Sequence, residues 1–229
     1  MTELDFVLLT VYFLGVSYVL YQIVNSFNDE LTIRLDEDDF KETLKSMNLA
    51  EAVNITFRFN NRYEFDKLTG LAIRVENKSK QHPVYIDWDE CALSDLDGRS
   101  RRVARTPPGG SLDAFQSQVF SVIAPGKTLR ENISGEDQLT RKGENGLLEV
   151  TKTLVDFTKP NPKSSTPAQR QRYQDFMASR INLEVYLEIA LRFVGNNTAV
   201  TGDRTRVVCK FIITKLDWTA GLPWNPRQS

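Results

Sequence analysis

The chain has 229 residues, 41% hydrophobic and 26% charged, and its 29 Lys and Arg against 30 Asp and Glu leave a formal net charge of -1. That balance speaks against a dedicated nucleic-acid binder, which carries a clear basic excess. Two distant cysteines without a CxxC exclude a zinc ribbon or a disulfide framework, and a single histidine makes any His-based triad or metal cluster depend on His82 alone.

The first predicted element is Phe6 to Val24, 19 residues without a charge. As a helix it covers about 28 Å, close to the hydrocarbon thickness of a bilayer. The preceding Met1–Asp5 is acidic, and no small-x-small site or lipobox cysteine follows. Residues 1–27 are therefore expected to be a tail and an uncleaved single-pass anchor rather than a signal peptide. Tyr21 and Phe27 fall where an interfacial aromatic belt would lie. Val11, Gly15, Tyr18 and Gln22 share one helical face and form a candidate surface for a partner helix. Arg34, Lys41 and Lys45 follow the apolar run and no Lys or Arg precedes it, which places the remaining domain on the cytoplasmic side. Residues 28–52 read as an acidic juxtamembrane segment, a poor binder of anionic headgroups. Within it a helix is expected over Asp36–Ala50, with Phe40, Leu44 and Met47 at i, i+4 and i+7.

From residue 53 the period becomes two. Val53–Phe59, Leu71–Val75, Val84–Trp88, Arg101–Arg105, Phe115–Ile123, Thr128–Ile133 and Leu147–Phe157 are expected strands. Ile181–Phe193 alternates throughout, turns at Gly195-Asn-Asn, and is answered by Arg204–Trp218 as a long antiparallel hairpin. Residues 158–180 form an excursion: the Pro-rich linker Lys159–Ser165, expected to be the most mobile part, then a helix with Thr166 as N-cap, Pro167 at N1 and Tyr173, Phe176 and Met177 as its apolar side. Many strands without β-α alternation predict a mainly β fold, an antiparallel sandwich over 53–218, followed by a tail over 219–229.

Within this domain, Ile73–Asp89 passes from a strand through an Asn77-Lys-Ser turn to a Pro-opened strand ending in Trp88-Asp89, and is followed by Asp97-Gly-Arg-Ser and by Ile123-Ala-Pro-Gly-Lys127. Over residues 53–135 this order of turns resembles uncharacterised bacterial membrane-anchored or envelope proteins with an immunoglobulin-like β-sandwich. The resemblance implies an immunoglobulin-like fold and no assigned activity. The chain differs from lipoprotein members in having an apolar anchor in place of a lipidated cysteine.

Pro125-Gly-Lys-Thr128 has the ending of a phosphate loop, but Ser121 stands where the pattern needs glycine, so a turn is expected. Asp87, Asp89, Glu90, Asp95 and Asp97 supply oxygen atoms without the spacing of a calcium loop. Arg99, Arg101, Arg102 and Arg105 form a basic run that reads either as a charged strand edge or, together with Trp224, as a candidate interaction surface. Cys209 shares a strand face with Val207, Phe211 and Ile213 and reads as a buried apolar residue. Asn54, Asn77, Asn132 and Asn196 begin N-x-Ser/Thr sequons. No cofactor, nucleic acid or small-molecule ligand is indicated. The expected function is a membrane-anchored binding domain, an accessory or assembly subunit whose partners are the bilayer and other membrane subunits. The alternatives are a hydrolase or glycan-modifying enzyme working from loops, and a structural tether.

Overall fold

The computed structural model describes residues 3–26, 30–105, 118, 120–142, 147–193 and 204–217. Their elements run α1 (Glu3–Ser26), β1 (Glu30–Leu35), α2 (Glu37–Ser46), β2 (Val53–Arg58), β3 (Tyr63–Glu64), β4 (Leu71–Asn77), β5 (Val84–Ile86), β6 (Ala92–Ser94), β7 (Ser100–Arg105), β8 (Ser121–Ile123), β9 (Thr128–Gly135), β10 (Leu139–Lys142), β11 (Leu147–Val150), α3 (Pro167–Met177), β12 (Leu183–Phe193) and β13 (Arg204–Lys215). The fold is mainly β and antiparallel, with three α-helices among the described residues.

Hydrogen bonding joins the strands in the order β2-β4-β9-β7-β6-β12-β13-β1-β3, with β5 set against β12 and β8. The two layers are not separate sheets. Ser100–Arg102 of β7 pair with β6, while Val103–Arg105 of the same strand pair with β9. One strand thus passes from layer to layer and the whole curls into a half-barrel. This continuity is where the architecture differs from the expected immunoglobulin-like sandwich.

The longest regular pair is the expected one. β12 meets β13 from Leu183 opposite Ile213 to Arg192 opposite Arg204. Leu183, Val185, Leu187, Ile189 and Leu191 alternate inward against Val207, Cys209, Phe211 and Ile213, all buried. The facing layer contributes Val53, Ile55, Leu71, Ile73 and Val75, and Phe57 meets Phe211 edge to face at 4.8 Å. At about 25 cal/mol per Å² of apolar surface removed from water, this shared interior is the main stabilising term.

Several expectations change. Of the acidic segment, residues 30–52 are part of the folded unit: Leu31, Ile33 and Leu35 give β1 a two-residue period, and β1 lies between β13 and β3. The expected Asp36–Ala50 helix is shorter, because Asn48 takes a left-handed backbone (φ +56°) beyond the Met47 C-cap. Phe40 and Leu44 bury as its period requires. Of the expected strand Phe115–Ile123, only Ser121–Ile123 is described as strand; residues 115–117 and 119 lie outside the described residues. The strand expected over Leu147–Phe157 stops at Val150. Beyond it Leu154 and Val155 are both buried although adjacent, which no strand facing a single core permits. The β12–β13 turn and Trp218 lie outside the described residues.

Helix α1 forms where the apolar run predicts, and every described side chain from Asp5 to Tyr21 is exposed. Among the described residues, however, no helix is long and apolar enough to cross a membrane. The stretch from Asp5 to Tyr21 rises about 26 Å, against a hydrocarbon core of about 30 Å.

Candidate functional site

A cleft of about 860 Å³ opens between the β6–β7 turn, the irregular segment 151–165 and α3. Its first wall is made by turn chemistry. Asp95 Oδ1 accepts the backbone N–H groups of Asp97 and Arg99, both at 2.9 Å, and Gly98 supplies the positive φ (+75°) the turn needs. The turn carries Asp97 towards α3, where its carboxylate pairs with Arg172 and accepts from Gln169 Nε2 at 2.9 Å. Arg172 also donates to Leu96 O at 2.7 Å. Gln169 is at the same time the N3 residue of the Thr166 capping box, so the start of the helix and the tip of the hairpin are held by one cluster.

The second wall is pinned by two buried polar side chains. Gln138 accepts from Gly135 N at 2.5 Å and donates to Thr69 O and Lys152 O at 3.1 and 3.0 Å. The Arg101 side chain, only 8% exposed, donates to Leu154 O at 2.9 Å and to Asp137 at 3.4 Å. Under the cleft, Phe157 stacks on Phe65 and Phe176 at 5.0 and 5.6 Å. The linker Lys159–Ser165 closes on Asn161, whose carbonyl accepts from Ser164 and Ser165, while Arg170 donates to Pro162 O and Ser165 O.

Four carboxylates line this cleft: Asp95, Asp97, Asp137 and Asp156. Each is engaged, Asp95 and Asp156 by backbone N–H groups, Asp97 by Arg172 and Asp137 by Arg101. Arg172 beside it holds the Asp97 carboxyl below the usual carboxylate range. An acid kept ionised serves neither as a proton donor nor, while paired to Arg172, as a free base. The cleft thus presents both charge signs, with each of its carboxylates held by a donor of the fold.

The basic run divides. Arg101 is buried as above; Arg102 pairs with Asp89 and reaches Glu136 at 3.6 Å; Arg105 reaches Glu131 at 3.7 Å and lies 5.5 Å from the centre of the Trp88 ring. Three of the four arginines thus bind the fold together, and Arg99 is the one that stays exposed. Trp224 lies outside the described residues. The acidic group is likewise spent on ion pairs and turns: Glu90 pairs with Arg204, and Asp89 with Arg102. Burial pushes the Asp89 carboxyl up, but Arg102 and the Gln118 amide together bring it below its ordinary value. Among the described residues no group of three His, Cys, Asp or Glu could hold a metal ion.

The Asn77 motif is structural. Its amide donates to His82 O and Ile123 O at 2.8 and 2.9 Å, and its oxygen accepts from Ser79 N at 2.9 Å. A fully buried amide with its donors and acceptor taken is closed to glycosylation. His82 sits half-buried in the turn this motif builds, and Pro125–Gly126 forms a turn with φ +67° at the glycine. Cys91 and Cys209 are free and buried; burial pushes the Cys91 thiol up to about 12 and raises Cys209 as well.

Compared with protein families, with curated proteins and with solved structures, the chain matches none.

On α1, Val11 and Tyr18 are each 62% exposed, and a Cβ added at Gly15 would meet nothing within 4 Å. The side chain of Gln22 lies outside the described residues. The features that organise the cleft, Gln138, Arg101 and the Asp97–Arg172 pair, carry no sequence signal beyond the Asp97-Gly98 turn itself.

Proposed function

We propose that this chain is a membrane-anchored binding module, with α1 as a single-pass anchor and the half-barrel as a recognition domain that serves as an accessory subunit of a membrane complex. One observation carries this reading. Among the described residues the domain leaves Phe120, Val122 and Ile181 as its exposed large apolar side chains, whereas α1 exposes Phe6, Val7, Leu8, Tyr12, Phe13, Leu14 and Leu20 at 57% or more. An apolar face of this extent on a soluble chain calls for a cover of lipid or protein. The α1 backbone continues to Ser26, 24 residues in all, which is about 36 Å of helix and sufficient to span once Gln22–Val24 are included. The helix is apolar around its whole circumference, as lipid requires.

The cleft beside α3 is the surface such a subunit offers to its partner. It presents both charge signs and pinned walls, which suits a polar, extended segment of another protein better than a small apolar ligand. Kinship with the envelope proteins that carry immunoglobulin-like sandwiches draws support from the Asn77, Asp97-Gly98 and Pro125-Gly126 turns at strand ends; the continuous sheet is the point of difference.

The test is a carbonate wash of membranes from cells making the full chain, followed by native mass spectrometry in mild detergent. Retention in the pellet and a heteromeric complex are expected. Release by carbonate overturns the anchor, and a chain that flies alone overturns the binding role in favour of a tether.

A further inference from the structure

The outward face of β2, β4 and β9 carries three arginines that the fold leaves almost without counter-charge. In register, Thr56, Arg74 and Arg130 form one row across the strands, and Arg58, Ala72 and Asn132 form the next. Arg74 and Arg130 are direct cross-strand neighbours, an arrangement that destabilises a sheet when the charges are alike. Among the described residues Arg58 and Arg130 have no carboxylate partner, and Arg74 reaches only Glu76, at 3.9 Å. Glu131, the acidic residue of β9, reaches Arg105 instead, at 3.7 Å. A shallow depression of about 500 Å³ around Ala72 is lined by these three arginines, with Glu131 also in its wall. Guanidinium forks are donors only and match the geometry of phosphate oxygens.

The chain path gives this face an address. Helix α1 ends at Ser26, and β1 starts at Glu30, where Glu30 and Leu31 pair with Glu64 and Tyr63 of β3. Arg62, which lies 3.3 Å from Glu30, is four positions beyond Arg58, and Asn60 donates to the Tyr63 hydroxyl at 2.9 Å. From Val53 to Arg58, β2 therefore runs towards the end of the sheet from which α1 departs, and Phe57 and Phe59 on either side of Arg58 pack on Phe211, opposite Leu35. At that end the pairs Arg62–Glu30 and Lys67–Asp66 neutralise themselves, and Glu64 and Asp217 are exposed. The acidic first turn of α2, Glu37 to Asp39, follows Leu35 at the opposite end of β1 from Glu30.

We propose that this face docks on anionic lipid headgroups of the membrane that α1 enters, with Arg58, Arg74 and Arg130 taking the phosphates. The proposal rests on the reading of α1 as an anchor. A cation at an anionic surface contributes about 1 kcal/mol, so neutralising one arginine lowers the ratio of docked to free domain about fivefold, and neutralising all three on the order of a hundredfold.

The test uses the full chain with Asn132→Cys carrying a bimane label. Cys91 and Cys209 are buried, so the label goes to the new site. The protein is reconstituted into vesicles of phosphatidylcholine, with or without phosphatidylglycerol, containing a lipid that bears a headgroup nitroxide quencher. Quenching that rises with phosphatidylglycerol, falls in high salt and is lost in the Arg58→Gln, Arg74→Gln, Arg130→Gln triple variant is expected. The triple variant should unfold at the same or a higher urea concentration than the wild type, since a like-charged cross-strand pair has been removed. Co-flotation with both vesicle types but no dependence of quenching on phosphatidylglycerol overturns the docking alone and leaves the face to an acidic protein. Failure to float with either vesicle type overturns the anchor and the proposal together.

Discussion

Replacing Asn77 by Asp changes one buried atom and should make the stability of the domain strongly dependent on pH. Asn77 is fully buried at the end of β4, and its NH₂ donates to two carbonyl oxygens, those of His82 and Ile123. An ionised Asp in this place would direct a carboxylate oxygen at both carbonyls with no donor between them. A protonated Asp keeps a single donor and so restores one of the two bonds, at a loss of about 1 kcal/mol. The penalty for ionisation cannot exceed the free energy of holding the proton, about 1.4 kcal/mol for each pH unit above the unfolded pKa of roughly 3.9. At pH 7 the variant therefore loses up to about 5 kcal/mol, and at pH 5 about 2.5 kcal/mol. The sign follows from linkage. Folding raises the pKa of this new acid, so its destabilisation is complete above the folded value and fades as pH falls towards the unfolded one. Urea unfolding of wild type and Asn77→Asp at both pH values, followed by tryptophan fluorescence, measures the gap directly; Trp88, which is fully buried, is one of the reporters. A gap that stays constant or widens at the lower pH would refute the hydrogen-bond assignment.

Gly70→Ala should cost about 1–3 kcal/mol, since an added Cβ would lie 2.7 Å from the backbone oxygen of Ile133 and must push β4 from β9; thermal melts should then drop by roughly 2–4 °C per kcal/mol. Asp97→Asn should loosen the clamp between the β6–β7 turn and α3, seen as faster amide exchange in α3 with a change in overall stability under about 1 kcal/mol, because the carboxylate is half exposed. Because the folded pKa of Asp97 is lowered, its stabilisation is present above the unfolded value and is lost as pH falls through the folded one, so the protection of wild-type α3 amides, with the intrinsic exchange rate at each pH divided out, should weaken only in acid. Equal exchange rates in variant and wild type would show that the Thr166–Gln169 capping box holds the helix unaided.

The parts of the fold that sequence revealed are those where one local period runs long. Thirteen residues of alternation over Ile181–Phe193 predicted β12 and its partner because the pattern outlasts any helical alternative. Strand β1 has the same period in Leu31, Ile33 and Leu35, but its six residues sit between an apolar run and an acidic helix, and its partner β13 is at the far end of the chain. Segment 151–157 misled for the opposite reason. Its apolar residues are buried by irregular backbone fastened through Gln138 and Leu68, an arrangement without a period. Of the cleft, the Asp97-Gly98 turn and the start of α3 at Thr166-Pro167 were readable, but the pairing between them was not. Asp97 and Arg172 are 75 positions apart, and nothing local marks one as the partner of the other. The arginine run was legible as charge but not as structure, since whether Arg101 faces water depends on the register of β7 against β6 and β9.

The pairing of Leu31 with Lys215 sets the order in which this molecule can be made. A strand from the beginning of the domain acquires its main neighbour only when the last described strand has left the ribosome. Until then β1 can pair only with the two residues of β3, and the hydrogen-bonding edge meant for β13 stays open. Long-range pairing of this kind is slow, and an unfilled edge is a template for other chains. Removal of β13 would therefore do more than shorten the sheet: it would expose the flanks of β12 and β1 together, and the expected product is an aggregate rather than a smaller domain.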